Sequence, residues 1–349
     1  MKIFLLLPIF LLAFVACMPE RTAPDIFPYR PTRYAPEIER SQTDDFYGYI
    51  DYYGDWPTRP ITVVVPFIAG GDTDIYARML APFLTEILGQ PINVVNIDGL
   101  AGTVGMTSVY ESEPDGYTVL FYHTGGLFSN IFVGTTSLNY NNLVVSNAVM
   151  HCDANVFVIN ANLGLSTGQE FIEYARANPF RMRTALTLSG FTFMLSRMAE
   201  LAGDFQTTPI DVGGAVLMLP AVRAGHADVT NVTVTMLMSY IDDEEIVPLW
   251  IAASERNPSI PHVPTMAEVG IEGGYIGRTF FYAFPFGVDE YIAIQFSNAV
   301  AEVIQNPDFL YQLYGTSSLT PFFLPFHEVT EYLATQWQAL DGFEEYMRH

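Results

Sequence analysis

The sequence predicts an α/β fold with a parallel sheet, and three observations carry that prediction. Short apolar or β-branched runs recur along the chain, a glycine-containing loop follows each early run, and each loop opens into a segment of helical character. The first run, Ile61-Thr62-Val63-Val64-Val65, lacks polar alternation, as expected of a strand covered on both faces. Pro66 stops it, Gly70-Gly71 turns the chain, and Thr73 or Asp74 is placed to cap a helix that runs to about Leu88 and ends at Gly89. Residues 92–95 form the next strand. The loop Asp98-Gly99-Leu100-Ala101-Gly102 follows, and a second helix begins near Thr103. Pro114-Asp115-Gly116 is a turn that leads into a strand at 117–121.

The alternation continues through the middle of the chain. Strands are predicted at 156–159, 184–188, 228–234 and 247–252. Helices are predicted at 167–178 before Pro179, from Ser189-Gly190 to about 201, and at 215–224 despite Pro220. Near the C-terminus, 291–305, 307–314 and 326–347 read as helices. Tyr52, Tyr53 and Trp56 are expected to pack against the edge of the first strand.

Composition narrows the function. The chain has 349 residues, half of them hydrophobic, which supports a large core and about two domains. Fifteen basic residues stand against 38 acidic ones, a net charge of -23, and Lys2 is the only lysine. Nucleic acid and polybasic membrane binding are excluded on that balance. A surface of one sign also repels its own copies, so a monomer is expected. No GxSxG elbow, P-loop lysine, HExxH or CxxC is present, and the six histidines lack ligand spacing. No enzyme, metal site or cofactor is therefore expected. Asp242-Asp243-Glu244-Glu245 reads as a solvated loop.

The N-terminus reads as an export signal. Lys2 precedes an apolar run over 3–16, of signal-peptide length, that ends in Phe14-Val15-Ala16-Cys17. This resembles a bacterial lipobox, with Cys17 lipidated and becoming the mature N-terminus; Phe14 departs from the usual leucine. Residues 18–55, broken by Pro19, Pro24, Pro28, Pro31 and Pro36, read as a tether from that anchor. Cys152, the other cysteine, reads as a packing thiol. A periplasmic or cell-surface location follows, with membrane attachment through the lipid alone.

Three loops between strand and helix are candidate binding elements: Ala69-Gly70-Gly71-Asp72-Thr73 with Asp74, Gly99-Leu100-Ala101-Gly102-Thr103, and Ser189-Gly190-Phe191-Thr192. Glycine lets backbone approach a ligand, and a helix N-terminus offers free N–H groups that can hold a carboxylate without any cation. Such loops lie at the carboxyl ends of strands, where open α/β sheets bind ligands. Taken alone, each loop is better explained as a tight turn with a helix cap.

Ordered stretches then make the chain recognisable. They include Trp56-Pro57-Thr58-Arg59-Pro60-Ile61, Val65-Pro66-Phe67-Ile68-Ala69-Gly70-Gly71-Asp72-Thr73-Asp74, and Gly99-Leu100-Ala101-Gly102-Thr103-Val104-Gly105. Pro114-Asp115-Gly116-Tyr117-Thr118-Val119-Leu120, Arg223-Ala224-Gly225-His226-Ala227-Asp228 and Pro261-His262-Val263-Pro264-Thr265-Met266-Ala267-Glu268-Val269-Gly270 follow in order. The chain resembles, from about Trp56 to Phe343, the periplasmic substrate-binding receptors of tripartite tricarboxylate transporters, the Bug family. That resemblance implies a two-domain, type II periplasmic-binding-protein-like fold, with domain 1 at 56–155 and 285–349 and domain 2 at 156–284. It implies a small organic solute in the interdomain cleft and delivery to the permease subunits of a transporter. The first two loops would hold a ligand carboxylate, and residues 189–192, with Asp211 and Gly213, would add specificity.

Departures from the family pattern bear on the ligand. Ala69 stands where proline is usual and Asp72 where a small residue is usual. Ile97-Asp98 replaces arginine-proline, and Asp211-Val212 replaces a tyrosine and a basic residue. Each change of charge is toward the negative. An unpaired carboxylate near an anionic ligand would cost on the order of ~1 kcal/mol at 4 Å in water and more when dry. A neutral, zwitterionic or singly charged solute is therefore expected, unless Asp72 only caps its helix. A surface lipoprotein that senses or docks without transport is the alternative reading, and an enzyme on the same scaffold ranks below it.

Overall fold

The computed structural model describes residues 55–316 and 318–347. The expected export signal with Cys17, together with Tyr52, Tyr53 and all of the tether before Asp55, lies outside the described residues.

The first α/β segment runs β1 (Ile61–Val65), α1 (Asp72–Leu88), β2 (Ile92–Asn96), α2 (Thr103–Tyr110), β3 (Thr118–His123), α3 (Thr124–Val133) and β4 (Leu143–Cys152). The chain then crosses at residues 153–154 into β5 (Asn155–Asn160), α4 (Gly168–Ala177), β6 (Arg183–Leu186), α5 (Phe191–Gly203), β7 (Thr208–Asp211), α6 (Ala215–Arg223), β8 (Val229–Thr233), α7 (Val234–Leu237) and β9 (Ile246–Ala252). A return segment, 253–277, leads back to β10 (Arg278–Pro285), α8 (Glu290–Val303), α9 (Pro307–Gly315), β11 (Leu319–Leu324), α10 (Phe326–Gln338) and α11 (Glu344–Met347).

Two sheets result. The six-stranded sheet has the order β11-β4-β10-β3-β1-β2 and the five-stranded one β7-β6-β8-β5-β9. The strand–loop–helix units pair in parallel, as expected: β1 with β2 and β3, and β6 with β7 and β8. The strands that enter or leave each sheet run antiparallel, β10 against β3 and β4, and β5 against β8 and β9. Both sheets are therefore mixed. The sequence-based boundary at 284/285 gave residues 278–284 to the second domain, yet β10 sits inside the six-stranded sheet. Its RTFFYAFP run is buried at every position and would suit the interior of either sheet, so its pattern alone did not assign it.

Packing follows the apolar faces. Tyr76, Leu80 and Leu84 of α1 lie against Phe280 and Tyr282 of β10, and Tyr282 meets Phe296 of α8 edge-on at 4.9 Å. In the second unit Trp250 stacks on Phe157 at 5.0 Å and meets Phe171 of α4. Each such fully buried side chain contributes roughly 1.5–3 kcal/mol over exposure. Helix α4 starts with a reciprocal cap, in which Thr167 accepts from the Glu170 N–H while Glu170 accepts from the Thr167 N–H. The helix expected over 326–347 is two helices, broken where Gly342 takes φ +80°.

Candidate solute-binding cleft

Of the candidate loops, 69–74 and 189–192 lie at strand ends where the two units meet, and 99–103 packs on Tyr122 and Asn130 of the first unit. Phe191 of α5 approaches α3 so closely that a Cβ on Gly125 would sit 2.1 Å from its ring. The Ser129 hydroxyl of α3 donates to the Gly190 carbonyl at 2.9 Å. A Cβ on Gly214 of the second unit would meet the Ile68 side chain of the first at 2.5 Å. The units are thus closed on one another, and glycine is what permits both approaches.

The first loop is pinned by Asp74. Its carboxylate accepts from the Gly70 N–H, from Arg78 Nε and from Asn96 Nδ2, at 2.9–3.0 Å. Burial acts to raise its pKa, but these hydrogen bonds and the Arg78 charge outweigh that and hold it below the usual value. Gly71 is the N-cap residue and makes no side-chain cap, so neither Thr73 nor Asp74 caps α1 as expected. Asp72, Thr73 and Asp74 instead fill its first turn, all buried.

The second loop is strained. Gly99, Leu100, Ala101 and Gly102 all have positive φ, two of them without being glycine. Such residues cost energy that the surroundings must hold in place. Here the Ala101 carbonyl accepts from Asn130 Nδ2 at 2.8 Å and from the Tyr122 hydroxyl at 3.3 Å. Thr103 follows, with a buried Oγ1 that has no hydrogen-bond partner among the described residues. In the third loop Ser189 also has positive φ, Gly190 caps α5, and the Thr192 hydroxyl accepts from the Thr187 N–H at 3.3 Å. Asp211 and Gly213 are exposed and bond to each other at 3.0 Å, apart from the buried group below.

The meeting of the two units holds a residue that the sequence did not single out. Arg278, the first residue of β10, is 4% exposed and donates from Nη2 to Asp72 Oδ2. Its Cζ lies 4.9 Å from the Phe191 ring and 5.6 Å from the Phe280 ring. Asp72, the expected unpaired carboxylate, is thus paired, and the charge penalty expected of it has no basis in this geometry. Burial works against the Arg278 charge, but the neighbouring Asp72 carboxylate, acting together with Cys152 and Tyr76, outweighs it and keeps the guanidinium ionised. The Arg278 Nε is buried without a hydrogen-bond partner among the described residues. Beside it, burial holds the Cys152 thiol above its usual pKa.

His123 and Thr124 were also missed. His123 caps α3, its Nδ1 accepting from the Gly126 N–H at 2.9 Å, and Phe67 stacks on its ring at 5.4 Å. Burial, aided by the Arg278 charge, keeps its pKa well below the usual range, so the ring is neutral. Thr124 accepts from the Thr279 N–H at 3.1 Å, which ties α3 to β10. The signal for this further loop was present: His123-Thr124-Gly125-Gly126 ends an apolar strand just as the other glycine loops do. The signal for Arg278 was a lone cation opening an apolar run.

Among the described residues no group of three or more His, Cys, Asp or Glu could hold a metal ion. No described helix is long and apolar enough to cross a membrane.

Comparison with known proteins agrees with this architecture. The chain is 28% identical over 300 residues to the protein BugT of Bordetella pertussis, which covers 82% of this chain and 89% of BugT. MatC of Rhodopseudomonas palustris, solved with bound malate, superposes with a TM-score of 0.75 at 24% identity, covering 84% of this chain and all of MatC. A second R. palustris protein, solved with adipate, superposes at 0.76 and 23% identity, covering 84% and 97%. These structures show the fold to be the α/β fold of periplasmic solute-binding proteins. The sequence profile described as "Tripartite tricarboxylate transporter family receptor" matches residues 76–333. The chain therefore belongs to the tripartite tricarboxylate transporter family of receptors, a family of solute-binding proteins and not of enzymes.

Proposed function

We propose that this chain is an extracytoplasmic receptor that captures a small organic solute and passes it to the membrane subunits of a tripartite transporter. The solute carries a carboxylate and little net charge. It is held between loops 69–74 and 99–103 on one side and loop 189–192 on the other, with Asp211 and Gly213 at the rim. Cys17 carries a lipid that keeps the receptor at the membrane surface, and residues 18–55 give it reach.

The observation that carries this reading is Arg278: a buried cation at the meeting of two α/β units, with an unpartnered Nε and an aromatic ring from the opposite unit over its face. A buried donor without an acceptor costs about 1–3 kcal/mol, which a ligand carboxylate would recover. The malate and adipate bound by MatC and its R. palustris companion are consistent with a carboxylate. The near-neutral balance of Arg278 with Asp72 favours a ligand of low charge.

The test is a thermal-shift screen of the full-length chain in mild detergent against carboxylates, amino acids and aromatic acids. A ligand that binds only the folded state raises the melting temperature by mass action. A concentration-dependent shift with one chemical class supports capture. A folded protein that responds to none of them overturns it, in favour of a surface module without a transport role.

A further inference from the structure

We propose that the solute is a zwitterion of the α-amino-acid type with an apolar side chain, its carboxylate read by Arg278 and its ammonium by Asp72. This rests on the solute-capture reading above and names the chemistry of its ligand.

The argument begins with charge. Arg278 and Asp72 are 4% and 7% exposed and bonded to each other where the two units meet. Their charges sum to zero. Of the neighbouring groups, burial holds His123 neutral and raises the Cys152 and Tyr76 pKa values, Asp74 is committed to Arg78, Asn96 and the Gly70 N–H, and Asp153 follows Cys152 on the crossover. A dicarboxylate would bring two negative charges to a site whose one cation is already matched. A zwitterion brings none in sum. It can exchange with the internal pair like for like, carboxylate onto the guanidinium and ammonium onto the Asp72 carboxylate, leaving no buried charge alone.

Donor geometry points the same way. A guanidinium offers five N–H donors in a planar fork, and an edge formed by Nε and one Nη suits a carboxylate. Asp72 takes a bond from Nη2, while Nε is buried and unpartnered. Asp72 Oδ1 accepts from the Thr73 N–H at 2.8 Å, which fixes the carboxylate by its other oxygen. The walls are aromatic, with Phe191 and Phe280 about the guanidinium and Phe67 on the His123 ring. They suit an apolar side chain better than a second carboxylate.

Isothermal titration calorimetry on the full-length chain in mild detergent tests this. The probes are the common L-amino acids, the deaminated acid and the decarboxylated amine of the amino acid that binds best, and malate and adipate. The expected result is that one apolar amino acid binds at least about tenfold more tightly than its acid, its amine and both dicarboxylates. A dicarboxylate or monocarboxylate that binds as tightly as any amino acid overturns the inference and leaves solute capture standing. Binding of no probe at all overturns both. D72N, which keeps a hydrogen-bonding group beside Arg278, is expected to reduce the preference for amino acid over deaminated acid to within about threefold. An unchanged preference in folded D72N overturns the role of Asp72, and the wild-type comparison stands if D72N does not fold.

Discussion

The Tyr76 hydroxyl of α1 lies 3.2 Å from the Thr235 hydroxyl of α7, a hydrogen bond that joins the two α/β units. The Thr235 hydroxyl also reaches the Thr316 carbonyl at 2.5 Å, and its N–H donates to Ser318 Oγ at 2.7 Å. Because Thr235 donates its one hydroxyl proton to that carbonyl, Tyr76 is the donor of the bond across the units. Burial pushes the Tyr76 phenol well above its usual pKa, so this donor persists at any physiological pH. Thr235 is thereby a latch, carried by the second unit and received by the first.

T235V removes the hydroxyl and keeps the volume and the N–H. A net hydrogen bond contributes about 0.5–1.5 kcal/mol, so the closed state should weaken by about 2- to 10-fold per bond lost. Affinity for the solute identified by the screen should fall accordingly, chiefly through faster release, as stopped-flow fluorescence would record. An unchanged release rate would show that closure does not depend on this latch.

Gly125 offers the complementary test. A Cβ there would sit 2.1 Å from the Phe191 ring, which belongs to the other unit. Within a helix interior alanine is the better residue by about 0.8–1.0 kcal/mol, so a loss in G125A would come from this contact between the units. Closure should suffer, with solute affinity reduced at least about tenfold and a larger radius of gyration under saturating solute by small-angle scattering. Wild-type affinity in G125A would mean that the Phe191 ring turns aside at little cost.

These residues show what the sequence could and could not carry. Pattern located the glycine loops because strand, glycine and helix start are local signals, and it fixed β1 and α1 within a residue or two. Pairing across 206 positions, as between Asp72 and Arg278, has no local signal. An aspartate after Gly70-Gly71 looked like a helix cap or a bare charge, and only the return of β10 into the first sheet showed it to be neither. Strand β7 was missed because its exposure alternates at a sheet edge and it contains Pro209, a residue tolerated there and not in a central strand.

The Asp72–Arg278 pair also bears on stability. Removing one member of a buried pair leaves the other charge uncompensated, at about 3–5 kcal/mol. R278M should therefore lower the urea midpoint sharply in the absence of solute. The double variant D72N/R278M removes both charges and should recover a large part of that loss. A double variant as unstable as the sum of its two single variants would mean that the two side chains act separately, against the geometry.

The acid limb of stability should report on the return segment between β9 and β10. Glu268 there accepts from Arg256 Nε at 2.9 Å and Nη2 at 3.0 Å, and from the Thr265 N–H at 2.8 Å. The Arg256 hydrogen bonds, then that N–H, pull its pKa from an ordinary 4.5 down to about 2. In the unfolded chain Glu268 takes up its proton near 4.5, but in the folded chain only near 2. Between those values the unfolded state binds more protons, so stability contributed by Glu268 is present above 4.5 and lost as pH falls toward 2. Asp228, lowered by its bonds to Arg183 despite burial, acts with the same sign. Glu200, raised by burial, acts with the opposite one. E268Q removes the Glu268 share alone. Urea midpoints at pH 6 and pH 3 should therefore lie closer together in E268Q than in the wild type. An equal spread in the two proteins would mean that the Arg256–Glu268 pair contributes nothing to acid sensitivity, as a fully solvated pair would.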